Sequence, residues 1–233
     1  MALSTTNVSI ATEGGRSYDG YFGESGSGPA PGILILPEMF GMNDAMRGVV
    51  EDYARRGFAT LLPNVFWRSE QPRGLAYDGP DRDTAWARLK ALDLEQVDRD
   101  IGTAAQFLRQ RRDCNGKVVA IGFCGGGRMA ALAAMRHRVD AAVSLYGLGI
   151  PNHFDEIGNI KCPTQLHFGG ADQHISKAEI DSVIRATADH PQIEVFVYPG
   201  AGHSFFNPVR PNYNAEAATL AASRIGRLLD LLR

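Results

Sequence analysis

Cysteine is scarce in this chain. Cys114, Cys124 and Cys162 are the only three in 233 residues, and they are scattered. An odd, dispersed set makes no disulfide framework and no zinc-site spacing. An excess of either charge is also missing. There are 24 basic against 26 acidic residues, for a formal net charge of −2, and no basic block. That argues against nucleic acid or an anionic membrane as partner. No apolar run approaches a membrane span, and Met1–Thr6 has neither the positive nor the apolar region of an export signal. Together these absences predict a cytoplasmic protein with reduced thiols that acts on a small molecule. Its oligomeric state is left between monomer and small homo-oligomer.

What is present is ample core. The chain is 44% hydrophobic and 21% charged, which at this length suits one globular domain over residues 1–233. Residues 7–12 and 17–22 read as a hairpin around Glu13-Gly14-Gly15, and residues 23–32 as a Gly/Ser/Pro-rich surface loop. Apolar strands are expected at 33–36, 58–62, 117–121, 139–146, 163–168 and 193–197. Helices are expected at 44–56, 82–92, 94–111, 128–138, 176–188 and 215–232. The alternation predicts an α/β fold, a mostly parallel central sheet with helices on both faces. The irregular span 64–81 is long for a compact domain, and such spans are more often functional than idle.

Gly122-Phe123-Cys124-Gly125-Gly126 stands between a β-branched strand and an Ala/Met-rich helix. Gly-x-Cys-x-Gly is the nucleophile-elbow pattern with cysteine in the usual place of serine. The strand must reverse into a helix within a few residues, and flanking glycines remove the Cβ atoms that would clash. The turn presents Cys124 near a helix N-terminus, whose dipole favours a thiolate. Two blander readings compete. Gly125-x-Gly127-x-x-Ala130 formally fits a dinucleotide fingerprint, but the next strand ends in Tyr146 where an acidic ribose ligand is needed. The other is a glycine turn around a buried, inert cysteine.

Ligands of parallel sheets bind at the carboxyl ends of the strands. There the chain places Glu38, Cys124, Asp172 and His203, in that order. Nucleophile, acid, then histidine is the order of a hydrolase triad. His203 would be the base and Asp172 would hold its tautomer. Each alone could be a structural loop residue; three in order at strand ends favour catalysis. His167 and His174 flank Asp172, but no cysteine or carboxylate cluster completes a metal set, so no metal and no cofactor is expected. Cys114 and Cys162 read as structural. Glu38 is the unusual piece: it could hold the Cys124 thiol protonated, take its proton, or be a salt-bridged loop residue.

These motifs resemble the dienelactone hydrolase (carboxymethylenebutenolidase) family over nearly the whole chain. The resemblance rests on Glu38-Met39-Phe40-Gly41-Met42-Asn43, the cysteine elbow, Gly169-Gly170-Ala171-Asp172 and Gly200-Ala201-Gly202-His203-Ser204-Phe205. It implies an α/β-hydrolase fold without a large lid domain, a Cys124–His203–Asp172 triad, and Glu38 as the group that deprotonates Cys124 when substrate binds. It also implies an oxyanion hole at the N–H groups of Met39 and Gly125, and substrate contacts from Arg82, Trp86, Phe40 and Ser204. The family grips its substrate carboxylate with two arginines. The first matches Arg82; the second position is Asn207 here, so either Arg82 grips the carboxylate alone or Arg210, three residues too far along, swings in. The expected reaction is cysteine-dependent opening of a small anionic enol-lactone. An esterase or thioesterase on the same triad and a non-catalytic ligand-binding module are the alternatives.

Overall fold

The computed structural model describes residues 3–26 and 28–233. Met1 and Ala2 of the N-terminal segment, and Ser27 of the expected 23–32 loop, lie outside the described residues. Eight strands form one sheet: β1 (Ser4–Ala11), β2 (Ser17–Glu24), β3 (Ala30–Leu36), β4 (Thr60–Pro63), β5 (Cys114–Phe123), β6 (Ala141–Leu145), β7 (Thr164–Gly169) and β8 (Ile193–Tyr198). Their spatial order is β1-β2-β4-β3-β5-β6-β7-β8. The β1–β2 and β2–β4 pairs are antiparallel, and every pair from β4 across to β8 is parallel. The loop expected at 23–32 is therefore short, because β2 and β3 both extend into it.

Every residue of β3, β4, β6 and β7 is buried, as is β5 from Val118 onward. Burial on both faces is why these strands read as unbroken apolar runs and not as alternation. The helices that cover the sheet are α1 (Asp44–Arg55), α2 (Pro80–Lys90), α3 (Leu94–Arg109), α4 (Gly125–Met135), α5 (Lys177–Thr187) and α6 (Ala215–Asp230). Asn43 caps α1 by accepting the N–H of Met46, and Ser176 with Glu179 forms a reciprocal capping box on α5. Two short 3-10 turns, Ile150–His153 and Ile157–Asn159, fill the β6–β7 connection, where no structure was expected. Among the described residues, no helix is long and apolar enough to cross a membrane.

Candidate active site

Cys124 stands at the junction of β5 and α4 with φ 58° and ψ −118°. Holding a side chain in such a region costs about 1–3 kcal/mol, supplied by the surrounding fold. The glycines are what the packing demands. A Cβ on Gly122 would strike the Gly126 carbonyl, and one on Gly126 would strike the Leu36 carbonyl of β3. A Cβ on Gly127 would lie 2.7 Å from Gly147 Cα. The residues read as a turn before Arg128 are thus the first turn of α4, which starts at Gly125, because nothing larger fits between the helix and β3. Cys124 is 6% exposed, and its N–H is fixed to the Leu145 carbonyl at 3.0 Å. Gly125 is the first helical residue, so its N–H has no partner within the helix.

The loop after β7 brings Asp172 to the His203 loop. Asp172 Oδ2 lies 2.8 Å from His203 Nδ1, and Asp172 Oδ1 accepts the backbone N–H groups of His174 (2.7 Å) and Ile175 (3.2 Å). Both oxygens of this enclosed carboxylate are therefore committed, which orients the ring and leaves Nε2 as the free nitrogen. Nε2 is buried and makes no hydrogen bond. Burial opposes a charge on His203. Hydrogen bonding to Asp172 and the nearby Cys124 sulfur outweigh it and raise the pKa to about 10.

Glu38 is 2% exposed. Its Oε1 accepts from the Tyr146 hydroxyl at 3.4 Å, and Oε2 is buried with no partner. Among the described residues no cation lies within ion-pair distance of it, so the salt-bridged reading does not hold. Burial pushes its carboxyl above the ordinary range. The charge of Arg210, then Asn207, His203 and Tyr77, offset part of that rise.

A cavity of about 30 Å³ lies over Cys124. Met39, Phe40, Trp86 and His174 wall it; Glu38, His203 and Ser204 reach it; Arg82 and Arg210 supply two guanidinium groups. Most of the expected site residues thus meet in one place. Asn207 does not line the cavity. It is buried behind it, donating to the Tyr77 hydroxyl at 3.0 Å and accepting from Val209 N–H at 3.2 Å. Arg210 occupies the cavity instead, stacked over the rings of Tyr77 (4.4 Å) and Phe40 (5.3 Å). The reason is local. Asn207 N–H bonds to Ser204 O, and Arg210 N–H to Asn207 O, so two successive tight turns return the arginine to the site.

His174 and Tyr77 are the cavity neighbours that sequence reading did not assign. His174 packs edge-on to His203 with ring centres 4.8 Å apart. Its offset of two from Asp172 was the available signal. Tyr77 comes from the 64–81 span, whose length was the signal. His167 is a fully buried strand residue, bonded to Tyr198 and Gln165, and no group of metal ligands exists among the described residues.

Residues 18–231 match the model of the dienelactone hydrolase family. The chain belongs to that family. It is 33% identical over 225 residues to carboxymethylenebutenolidase of Pseudomonas putida, covering 95% of this chain and 94% of that one. Carboxymethylenebutenolidase 1 of Cupriavidus pinatubonensis is 28% identical, covering 99% of both. Among solved structures, dienelactone hydrolase from Anabaena variabilis superposes with TM-score 0.74 at 21% identity over 99% of both chains. A dienelactone hydrolase-like promiscuous phosphotriesterase from metagenomic libraries gives 0.82 at 24% identity over 100% and 99%. The fold is the α/β-hydrolase fold, and the chain is a hydrolase of the dienelactone hydrolase type.

Proposed function

We propose that this hydrolase opens a small anionic enol-lactone through a cysteine acyl-enzyme. Dienelactone (4-carboxymethylenebut-2-en-4-olide) is the leading substrate and maleylacetate the product, as in the degradation of aromatic compounds. One observation carries the proposal. A single small cavity holds the Cys124 thiol, a Glu38 carboxyl with one oxygen unbonded, the His203 ring and the arginines Arg82 and Arg210. A thiol alone would serve any ester; two cations beside it select an acyl donor that carries a carboxylate.

The chemistry follows from the charges. Arg210 is the strongest influence opposing burial at Glu38. When the substrate carboxylate engages Arg82 and Arg210, Glu38 loses part of that compensation and its proton affinity rises. It then takes the Sγ proton as the lactone carbonyl reaches the sulfur. Sulfur attacks the carbonyl carbon, and the oxyanion lies on the N–H groups of Met39 and Gly125. Collapse breaks the ring C–O bond and expels an enolate, which takes a proton at carbon from His203, protonated at rest beside Asp172 and the Cys124 sulfur. The now neutral His203, held by Asp172, then removes a proton from water; the resulting hydroxide cleaves the thioester, and the acid formed releases its proton to solvent. The thiolate regains its proton from Glu38 as product leaves. A resting thiol that is charged only on binding is also spared unselective alkylation.

The displacement of Asn207 from the cavity favours a second reading, in which the pocket serves a different small acyl group as an esterase or thioesterase. Loss of the ultraviolet absorbance of cis- and trans-dienelactone, beside aryl esters and with Cys124→Ala as control, separates the readings. Rapid lactone loss that vanishes in the variant supports the proposal. Cleavage of aryl esters alone leaves the triad and removes the lactone. If wild type turns over nothing, the site is a binding module.

A further inference from the structure

Arg88 is a buried arginine with no acid to pair with. It is 6% exposed, and among the described residues no carboxylate lies within ion-pair distance. Burial lowers its pKa to about 10. Keeping a guanidinium in such a place is costly, so what it binds is informative. Nε donates to the Met39 carbonyl at 2.9 Å, and Nη1 donates to the carbonyls of Gln71 and Arg73, each at 2.9 Å. The group stacks 4.1 Å over the Phe66 ring, and Nη2 abuts Gly41, where a Cβ would lie 2.7 Å away.

The Met39 carbonyl belongs to the loop that follows β3. Four successive carbonyls of that loop are held. Glu38 O accepts from Gly41 N–H, Met39 O from Arg88, Phe40 O from Leu75 N–H, and Gly41 O from Asn43 N–H. In a trans peptide the N–H points away from the preceding carbonyl, so the Gly41 bond to Glu38 O sets the direction of Met39 N–H, and the Arg88 bond to Met39 O fixes the peptide that follows it. Arg88 is the one side chain in that set, and the carbonyls of Gln71 and Arg73 tie it to the segment carrying Tyr77. Its neighbour on α2, Leu89, lies against the other proposed oxyanion donor: a Cβ on Gly125 would be 2.7 Å from Leu89 Cδ1. Arg82 and Trp86, on the same helix, line the cavity. One short helix thus touches substrate space and braces both oxyanion donors.

We infer that Arg88 is a positioning residue for the oxyanion hole: by gripping the Met39 carbonyl it locks the peptide that follows the proposed donor, and so the backbone on the far side of Met39, and α2 links that grip to the proposed substrate contacts Arg82 and Trp86. The inference rests on the cysteine-hydrolase reading above. An oxyanion stabiliser acts on carbonyl attack and has no role in simple alkylation of the thiol, so the two reactions separate this role from general damage.

The test compares wild type, Arg88→Lys and Arg88→Met, each first shown to be folded by its thermal transition. Lys keeps the charge on a single nitrogen and loses the planar fork, and guards against a Met variant that fails to fold. Two rates are read: hydrolysis of cis-dienelactone and 4-nitrophenyl acetate, and alkylation of Cys124 by iodoacetamide. Removing one oxyanion donor outright costs about 10²–10³ in kcat. Misplacing it should cost about 10- to 100-fold in Arg88→Lys, with KM within about threefold and the alkylation rate within about twofold of wild type. A folded variant that keeps kcat within threefold overturns the inference. So does a parallel fall in alkylation, which would mean damage to the thiol itself. If wild type hydrolyses neither probe, the hydrolase reading fails and takes the inference with it; an active wild type with unaffected variants sinks the inference alone.

Discussion

Replacing Arg210 by Met separates substrate recognition from chemistry. The substitution keeps the aliphatic stem beside Tyr77 and Phe40 and removes the guanidinium stacked at 4.4 Å and 5.3 Å over their rings. Its Nε is buried without a partner, so the charge is not already spent on a protein acid. A charge-assisted hydrogen bond to a carboxylate contributes about 1.5–3 kcal/mol. At about 1.4 kcal/mol per decade, kcat/KM for the anionic lactone should fall about 10- to 150-fold. A neutral aryl ester makes no such contact and should change by less than about threefold. Arg210→Lys should fall between, since an ammonium keeps the charge and loses the planar fork. The assay is steady-state hydrolysis of both substrate types at fixed ionic strength, because cation–anion attraction is screened by salt. Equal losses on the charged and neutral substrates would show that Arg210 only supports the fold. No loss on either would leave Arg82 as the sole grip and refute the two-cation cavity.

Asp172→Asn should lower kcat by about 10³–10⁴ with the protein still folded, since an amide cannot hold the Nδ1–H tautomer that leaves Nε2 free; a loss under tenfold in steady-state kinetics would remove Asp172 from the triad. Gly126→Ala should destabilise the fold by about 3 kcal/mol or more in urea titration, because its Cβ meets the Leu36 carbonyl, which is backbone and cannot turn aside. A cost below 1 kcal/mol would show that α4 can slide away from β3. His167 sets an acid limit. Burial, then the charge of Arg224, lowers its pKa from 6.5 to about 3. The unfolded chain therefore takes this proton first, and stability falls as pH drops from 6.5 toward 3, by about 2 kcal/mol at pH 5. His167→Gln should flatten that part of the pH–stability curve, and an unchanged slope would assign the acid sensitivity elsewhere.

Much of this architecture is visible in residue order. The strands β3 to β7 announce themselves as apolar runs because both of their faces are covered, and Cys124, Asp172 and His203 follow strand ends in the chain order that the proposed triad needs. Arg210 was not legible in the same way. Its distance from His203 suits no extended chain, and only the consecutive tight turns through Asn207 return it to the cavity. Tyr77 was hidden because an irregular span has no periodicity to say which side chain points inward. The start of α4 was misplaced for a different reason: glycine disfavours helix by propensity, and here steric exclusion by β3 and β6 overrides it. Arg88 looked like any polar residue of an amphipathic helix, and its buried partners are carbonyls, which leave no mark in the sequence.

The positions of the three thiols bear on how this protein fares under oxidative stress. Cys124 ends β5, whereas Cys114 begins that same strand and Cys162 precedes β7. Ten extended residues at roughly 3.3 Å each put the two ends of β5 on opposite edges of the sheet. No neighbouring thiol can reach Cys124 to capture a sulfenic acid as an internal disulfide. The cavity over Cys124, about 30 Å³, has room for hydrogen peroxide. Once Cys124 is oxidised, the route through an internal disulfide is closed, and further peroxide drives it to sulfinic and sulfonic acid. Peroxide should therefore inactivate this hydrolase with no thiol of its own chain to intercept the damage.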